Sequence, residues 1–356
     1  MEATDTVYIF NCMKPKAKRA VSICILVIFA VSAVGCNKYY TGPSSDHFDG
    51  ERFHNKEPGH NFSDHVKWLW EMETVEWPEW IEDPQQPPPV AMVGKGELRT
   101  TFINQSSVLI QMDGINILTD PFWSERAGPT SWLGAKRIRA PGVRLQDLPQ
   151  IDLILISHDH YDHLDLPTLK ILIAKHNPTI LVGIGVKARF SALEHTKVVE
   201  LDWWNKHNYL DDLQITFIPT RHNSGRGLFD GNKTLWGGYV LEGSYGRVMF
   251  LGDSAFGEFI EDIRNVFEDF RLAILPIGSY EPYWFMGSEH MNPDDAVRAH
   301  KILNVHTSMG IHFGTIAEHP QQAFDAHEND LAVALQKHNV PASKFLLLEF
   351  GASRNF

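Results

Sequence analysis

Ser157-His158-Asp159-His160-Tyr161-Asp162-His163-Leu164-Asp165 places four metal-ligand side chains, His158, His160, Asp162 and His163, within six positions. Just upstream, Ile151-Asp152-Leu153-Ile154-Leu155-Ile156 is an almost continuous apolar run, the pattern of a strand buried on both faces. The cluster therefore falls where a buried strand ends and the chain turns. There His158 and His160, two residues apart, can converge on one cation while Asp162 and His163 face a second. Imidazole nitrogen with carboxylate oxygen is a donor set that zinc prefers and that iron or manganese also accepts. The competing reading is a polar loop of solvated histidines.

Three later segments repeat the logic of an apolar strand that delivers a ligand at its end. Ile215 to Thr220 leads to Arg221 and His222, Val248 to Gly252 leads to Asp253, and Ser308 to Ile311 leads to His312. Each is weak evidence alone, because a lone buried histidine is usually a core residue and Asp253 has the makings of a helix cap. Together with the cluster they supply seven ligands of the right type, each at a strand end.

The order His-x-His-x-Asp-His, then His, Asp and His, resembles the metallo-β-lactamase fold, and within it the family of N-acylphosphatidylethanolamine-hydrolysing phospholipases D. The likeness runs from about Thr101 to Gly351 and includes Leu118-Thr119-Asp120-Pro121-Phe122, Leu201-Asp202-Trp203-Trp204, Ile277 to Met286, Asp295-Ala296-Val297-Arg298 and Ile311-His312-Phe313-Gly314-Thr315. One departure is Asn104-Gln105-Ser106, where relatives often carry Gly-His and a small residue; that histidine is not a ligand, so local support is what the departure touches.

The resemblance implies an α/β fold, an αββα sandwich of two mixed β-sheets flanked by helices. It implies two Zn2+ per chain: one on His158, His160 and His222, the other on Asp162, His163 and His312, with Asp253 bridging. Asp162 and Asp253 are the catalytic carboxylates on this reading, and Tyr161 and His290 contact substrate. The implied reaction is phospholipase D-type hydrolysis of N-acylphosphatidylethanolamine, or a related phospholipid, to phosphatidic acid and an N-acylethanolamine. Two cations that share a water lower its pKa toward neutrality and need no covalent enzyme intermediate. The alternatives are a lactonase or small phosphodiesterase of the same fold, and a non-catalytic metal-binding envelope lipoprotein. The resemblance also suggests a homodimer.

Composition marks a globular protein with a sizeable core: 356 residues, 43% hydrophobic, with a net charge of -12 that argues against a broad electrostatic footprint for nucleic acid. Cys12, Cys24 and Cys36 are the only cysteines, so the body has neither a disulfide nor a nucleophilic thiol. They lie in an export signal: a basic block (Lys14, Lys16, Lys18, Arg19) and an apolar run, Val21 to Val34, too short to span a bilayer comfortably. Met13 would serve as its start as well as Met1. The run ends in Ala33-Val34-Gly35-Cys36, which resembles the lipobox of bacterial lipoproteins, with alanine where leucine is usual; a cleaved secretory signal or short anchor is the alternative. A lipidated Cys36 predicts a membrane-anchored protein of the bacterial cell envelope.

Three regions result: the export signal over 1–36, a tether and wrapping segment over 37–97, and one catalytic domain over 98–356. In the wrapping segment, His65 to Glu73 is a short amphipathic helix candidate, and Trp68, Trp70, Trp77 and Trp80 are candidates for the rim of a lipid-facing groove. Leu98 to Ile103 and Ser107 to Met112 read as strands, and Ile115 to Thr119 as the return strand after an Asp113-Gly114 turn. Beyond the cluster, the pattern predicts helices over Leu166–His176 and Val186–His195 and strands over Thr179–Gly183 and Lys197–Leu201.

Overall fold

The computed structural model describes residues 39–356 except 194, 196, 245 and 318–320. The export signal and Cys36 therefore lie outside the described residues.

The segment ahead of the first sheet holds α1 (Phe62–Glu71). It begins three residues earlier than the apolar pattern predicts because Asn61 and Asp64 form a reciprocal capping box, each side chain accepting from the other's backbone N–H. Next come β1 (Leu98–Asn104), β2 (Ser107–Met112), β3 (Ile115–Thr119), a two-stranded flap of β4 (Arg126–Thr130) and β5 (Leu133–Lys136), and β6 (Leu153–Leu155). After the ligand cluster follow α2 (Leu166–His176), β7 (Thr179–Gly183), β8 (Val198–Leu201), β9 (Lys206–Leu210), β10 (Leu213–Ile218), β11 (Gly238–Gly243) and β12 (Gly246–Phe250). The chain closes with α3 (Phe259–Val266), β13 (Phe270–Pro276), α4 (Tyr283–Met286), α5 (Pro293–Ile302), β14 (Val305–Ile311), α6 (Ala326–His338), β15 (Phe345–Leu346) and β16 (Ser353–Asn355). The helix expected over 186–195 is instead a tight three-residues-per-turn helix, Val186–Ala192. Its start is set by Gly185 and Lys187, whose N–H groups both donate to the Glu200 carboxylate.

Two seven-stranded sheets result, ordered β16-β1-β2-β3-β6-β7-β8 and β15-β14-β13-β12-β11-β10-β9. Both are mixed in the same way: an antiparallel meander (β1-β2-β3; β9-β10-β11-β12) continues into parallel strands (β6-β7-β8; β13-β14-β15). Side chains of both inner faces, among them Phe102, Ile110 and Leu155 against Phe217, Tyr239 and Phe250, share one apolar core. The outer face of the first sheet is covered by α2 through Leu169 and Leu172, and the second sheet shares its core with residues of α3, α5 and α6. This is the αββα sandwich.

The segment before β1 packs on this body. Phe48 and Phe53 are buried in the main core, and His47 Nε2 lies 2.8 Å from Asp202 Oδ1. No helix among the described residues is long and apolar enough to cross a membrane.

Candidate metal centre

Strand ends deliver every predicted ligand to one place. His158 to His163 follow β6, His222 follows β10, Asp253 follows β12 and His312 directly follows β14. The loops after β6 and β12 meet where Gly252, with φ +66°, lies against Ser157; a Cβ there would come within 2.4 Å of the Ser157 Cβ. Glycine is required by both backbone conformation and space.

The predicted side chains form two adjoining groups. In one, His158 Nε2 and His160 Nδ1 are 2.8 Å apart and His222 Nε2 is 3.4 Å from His160 Nδ1. In the other, Asp162, His163, Asp253 and His312 converge. There the edges between donor atoms are 3.1 Å (Asp162 Oδ2 to His163 Nε2), 3.1 Å (His163 Nε2 to Asp253 Oδ2), 3.3 Å (His312 Nε2 to Asp162 Oδ2) and 3.0 Å (His312 Nε2 to Asp253 Oδ2). A tetrahedral cation with donors at about 2.0–2.1 Å needs edges of about 3.3 Å. Asp253 Oδ2 also lies 3.8 Å from His222 Nε2, so this carboxylate faces the first group as well. Its Oδ1 is buried without a hydrogen-bond partner. The donor set and its spacing fit divalent cations.

The outward nitrogens are held by the protein, which aims the inward ones. His163 Nδ1 lies 2.6 Å from Asp120 Oδ2, His158 Nδ1 lies 2.9 Å from Ser157 Oγ, and His222 Nδ1 lies 2.9 Å from the Glu289 carbonyl. Asp120, fully buried, also accepts from the Ser157 N–H and hydroxyl. Within the motif itself, Asp159 is not a ligand. It accepts from Arg189 and from the Gly225 N–H and so ties the ligand loop to its neighbour.

Burial and charge divide the two groups. Burial drives His158 well below the ordinary imidazole range and His222 down to about 3, so both present lone pairs. Burial opposes charge at His312 too, but Asp253 and Asp162 outweigh it and push that imidazole up to about 10. His163 is likewise held well above its usual value by Asp162, Asp253 and Asp120.

The other predicted residues meet different fates. His290 is buried beside the cluster, its ring centroid 5.1 Å from that of His222 and 5.3 Å from that of His312. With His222 and Asp253 it makes a third group at ligand spacing. The Tyr161 hydroxyl donates to the Arg226 carbonyl at 3.0 Å, and the Arg226 guanidinium lies over its ring at 3.8 Å. Of the four tryptophans, Trp68 stacks on Phe285 and Trp77 donates to the Gln322 carbonyl, whereas Trp70 and Trp80 are exposed. On α1, Val66 and Leu69 are exposed beside Trp70, and Phe285 connects that helix to the His290 turn, where the His290 N–H donates to Met286.

Sequence reasoning passed over Asn55, and of Gln105 it noted only that its stretch departs from that of relatives in the local support of the site. Asn55 brackets the His222 backbone, donating to its carbonyl at 2.7 Å and accepting from its N–H at 3.3 Å. Gln105 Nε2 donates to Asp162 Oδ2 at 2.9 Å. Asp120 lies in a stretch that the sequence marks, but nothing in the sequence signals that its carboxylate aims His163.

The family model for the beta-lactamase superfamily domain matches residues 115–313. The chain belongs to that superfamily. Among curated proteins, this superfamily member is 39% identical over 229 residues to N-acyl-phosphatidylethanolamine-hydrolyzing phospholipase D 1 of Caenorhabditis elegans, covering 61% of this chain and 64% of that one. It is 33% identical over 223 residues to the mitochondrial N-acyl-phosphatidylethanolamine-hydrolyzing phospholipase D of Saccharomyces cerevisiae, covering 60% and 47%. The match thus spans less than two thirds of either relative. Among solved structures, an isothiocyanate hydrolase from Delia radicum gut bacteria superposes with a TM-score of 0.57 at 18% identity, over 72% of this chain and 99% of that one, which speaks to the fold alone.

Proposed function

We propose that the protein is a binuclear zinc phosphodiesterase of phospholipase D type, acting on N-acylphosphatidylethanolamine or a related phospholipid to give phosphatidic acid and an N-acylethanolamine. The observation that carries the two-ion reading is the shared carboxylate: one oxygen of Asp253 lies 3.1 Å from His163, 3.0 Å from His312 and 3.8 Å from His222. His158, His160 and His222 would hold one cation and Asp162, His163 and His312 the other, with Asp253 common to both. Bound there, the pair would supply an activated water and charge neutralisation at a phosphodiester. The chain's own part is positional. Asp120, Ser157 and the Glu289 carbonyl orient the imidazoles, Asp253 joins the two groups, and His290 stands beside both, within reach of a head group. Similarity to the worm and yeast phospholipases supports the lipid substrate. The exposed Val66, Leu69 and Trp70 on α1 support access from a lipid surface.

We further infer anchoring in a bacterial envelope through a lipidated Cys36, and a homodimer. Cys36→Ser should abolish metabolic acyl labelling; labelling that persists rules the anchor out. The function is tested by a turnover screen of the zinc-loaded protein against N-acylphosphatidylethanolamine, phosphatidylcholine, bis-p-nitrophenyl phosphate and a panel of lactones. Selective release of N-acylethanolamine is expected. Turnover confined to lactones would replace this reading with a lactonase, and no turnover of any substrate would leave a metal-binding lipoprotein.

A further inference from the structure

Hairpin turns ordinarily lie at the surface, where water satisfies their polar groups. The turn between β1 and β2 does the reverse: Asn104, Gln105, Ser106 and Ser107 are all buried. Gln105 also adopts φ 42°, a left-handed conformation that L residues rarely adopt and that glycine would take freely. Two hydrogen bonds hold it there. Its N–H donates to Thr315 Oγ1 at 2.8 Å, and its carbonyl accepts from the His312 N–H at 2.8 Å. The side chain is thereby aimed into the cluster, where Nε2 donates to Asp162 Oδ2 at 2.9 Å and lies 3.0 Å from His312 Nε2. With the 3.3 Å between those two donor atoms, the three form a nearly equilateral triangle. The carboxamide caps one edge of the tetrahedron made by Asp162, His163, Asp253 and His312.

We propose that Gln105 is a positioning residue of this carboxylate-bearing group, fixing which oxygen of Asp162 faces the cation and closing the edge between Asp162 and His312 to further donors. The proposal rests on the metal reading of that group. An amide suits the task because it donates a hydrogen bond without adding charge where two carboxylates already meet. A glycine would relieve the backbone and leave Asp162 free to rotate, so the left-handed conformation is explained by what the side chain does.

Gln105→Met keeps length and volume but removes the donor; Gln105→His restores an N–H. The ion at issue is the one whose binding His312→Ala abolishes. Chelator competition should show that ion bound ~10–100-fold more weakly in Gln105→Met, the range for losing a group that orients a ligand, with the other ion unchanged. Cobalt substituted at that position should change the position and intensity of its visible absorption as the donor geometry alters. Gln105→His should recover part of both. Unchanged affinity and spectrum in Gln105→Met overturn the proposal, as does the absence of any ion sensitive to His312→Ala. Equal weakening of both ions, or a lowered melting temperature in the metal-free protein that accounts for the loss, assigns Gln105 a merely structural role. None of these readouts uses a substrate, so the phospholipase reading can fail in the turnover screen while this proposal survives, and the reverse.

Discussion

The two halves of the candidate metal centre are built from the same loop yet differ in the charges they bring together. His158, His160 and His222 are three imidazoles, and burial keeps His158 and His222 neutral. Asp162, His163, Asp253 and His312 bring two carboxylates, and those carboxylates hold His163 and His312 protonated against the same burial. The difference lies in which strand ends each half draws on. The first takes one ligand from beyond the ligand loop, an imidazole after β10, whereas the second takes the carboxylate after β12 and the imidazole after β14. A cation meets lone pairs in one half and must expel protons from the other.

Asp253 is where the comparison breaks most completely, because its carboxylate lies within 3.8 Å of an imidazole of either half. Asp253→Asn keeps the shape and removes the charge. Both ions should be lost or weakened, and turnover should fall at least ~100-fold, given that charge stabilisation by such centres is worth several kcal/mol in the transition state. Elemental analysis beside steady-state rates checks this. Wild-type turnover with two ions bound would remove Asp253 from its shared role.

The proton balance separates the halves next. His312, with a pKa pushed up to about 10, carries its proton at pH 7, so a cation entering that half displaces it. Affinity there should rise about tenfold per pH unit for each proton expelled, from acid up toward pH 10. His158 and His222 are already neutral at pH 7 and release none. Calorimetric titration of the metal-free protein in buffers of different ionisation heat reads the proton count for each step. Equal release at both steps would contradict the division.

His290 tests the boundary between holding metal and meeting substrate. The resemblance casts it as a substrate contact, while its spacing from His222 and Asp253 is that of a ligand. As a substrate contact, His290→Ala should leave the metal content intact and lower phospholipid turnover roughly tenfold, the scale of one hydrogen bond to a charged group. A small chromogenic diester should be affected less. Loss of an ion in that variant would make His290 a ligand, and equal loss on both substrates would remove its lipid-specific role.

All seven metal-ligand candidates were legible in the sequence because each follows an apolar run, and burial on both faces leaves few other ways to read Ile151 to Ile156. The fold was legible for a related reason: the turn at Asp113-Gly114 and the helix Leu166–His176 carry local signals at their own positions. What escaped was how the supporting residues act. Asp120, Gln105 and Asn55 act across 43, 57 and 167 residues of sequence, through hydrogen bonds that exist only once the sheets have closed. No periodicity marks such residues. The 186–195 segment was misread for the same reason, since its geometry answers to Glu200, on a strand that follows it.

The smallest effect should come from Asn55, and it separates the halves from outside. Its side chain brackets only the His222 backbone, donating to the carbonyl at 2.7 Å and accepting from the N–H at 3.3 Å. Asn55→Ala removes both bonds but leaves the other hold on that residue, from His222 Nδ1 to the Glu289 carbonyl at 2.9 Å. His222 should then wander by little, and the ion on His158, His160 and His222 should bind a few-fold to ~10-fold more weakly, at the low end of what losing a supporting group costs. The ion on Asp162, His163 and His312 should be unaffected, the mirror image of Gln105→Met. Chelator competition on Asn55→Ala, with His312→Ala as the reference for the other ion, makes the assignment. If Asn55→Ala instead weakened the carboxylate half, the two halves would be coupled through more than Asp253, and their separation into a neutral and a charged site would have to be given up.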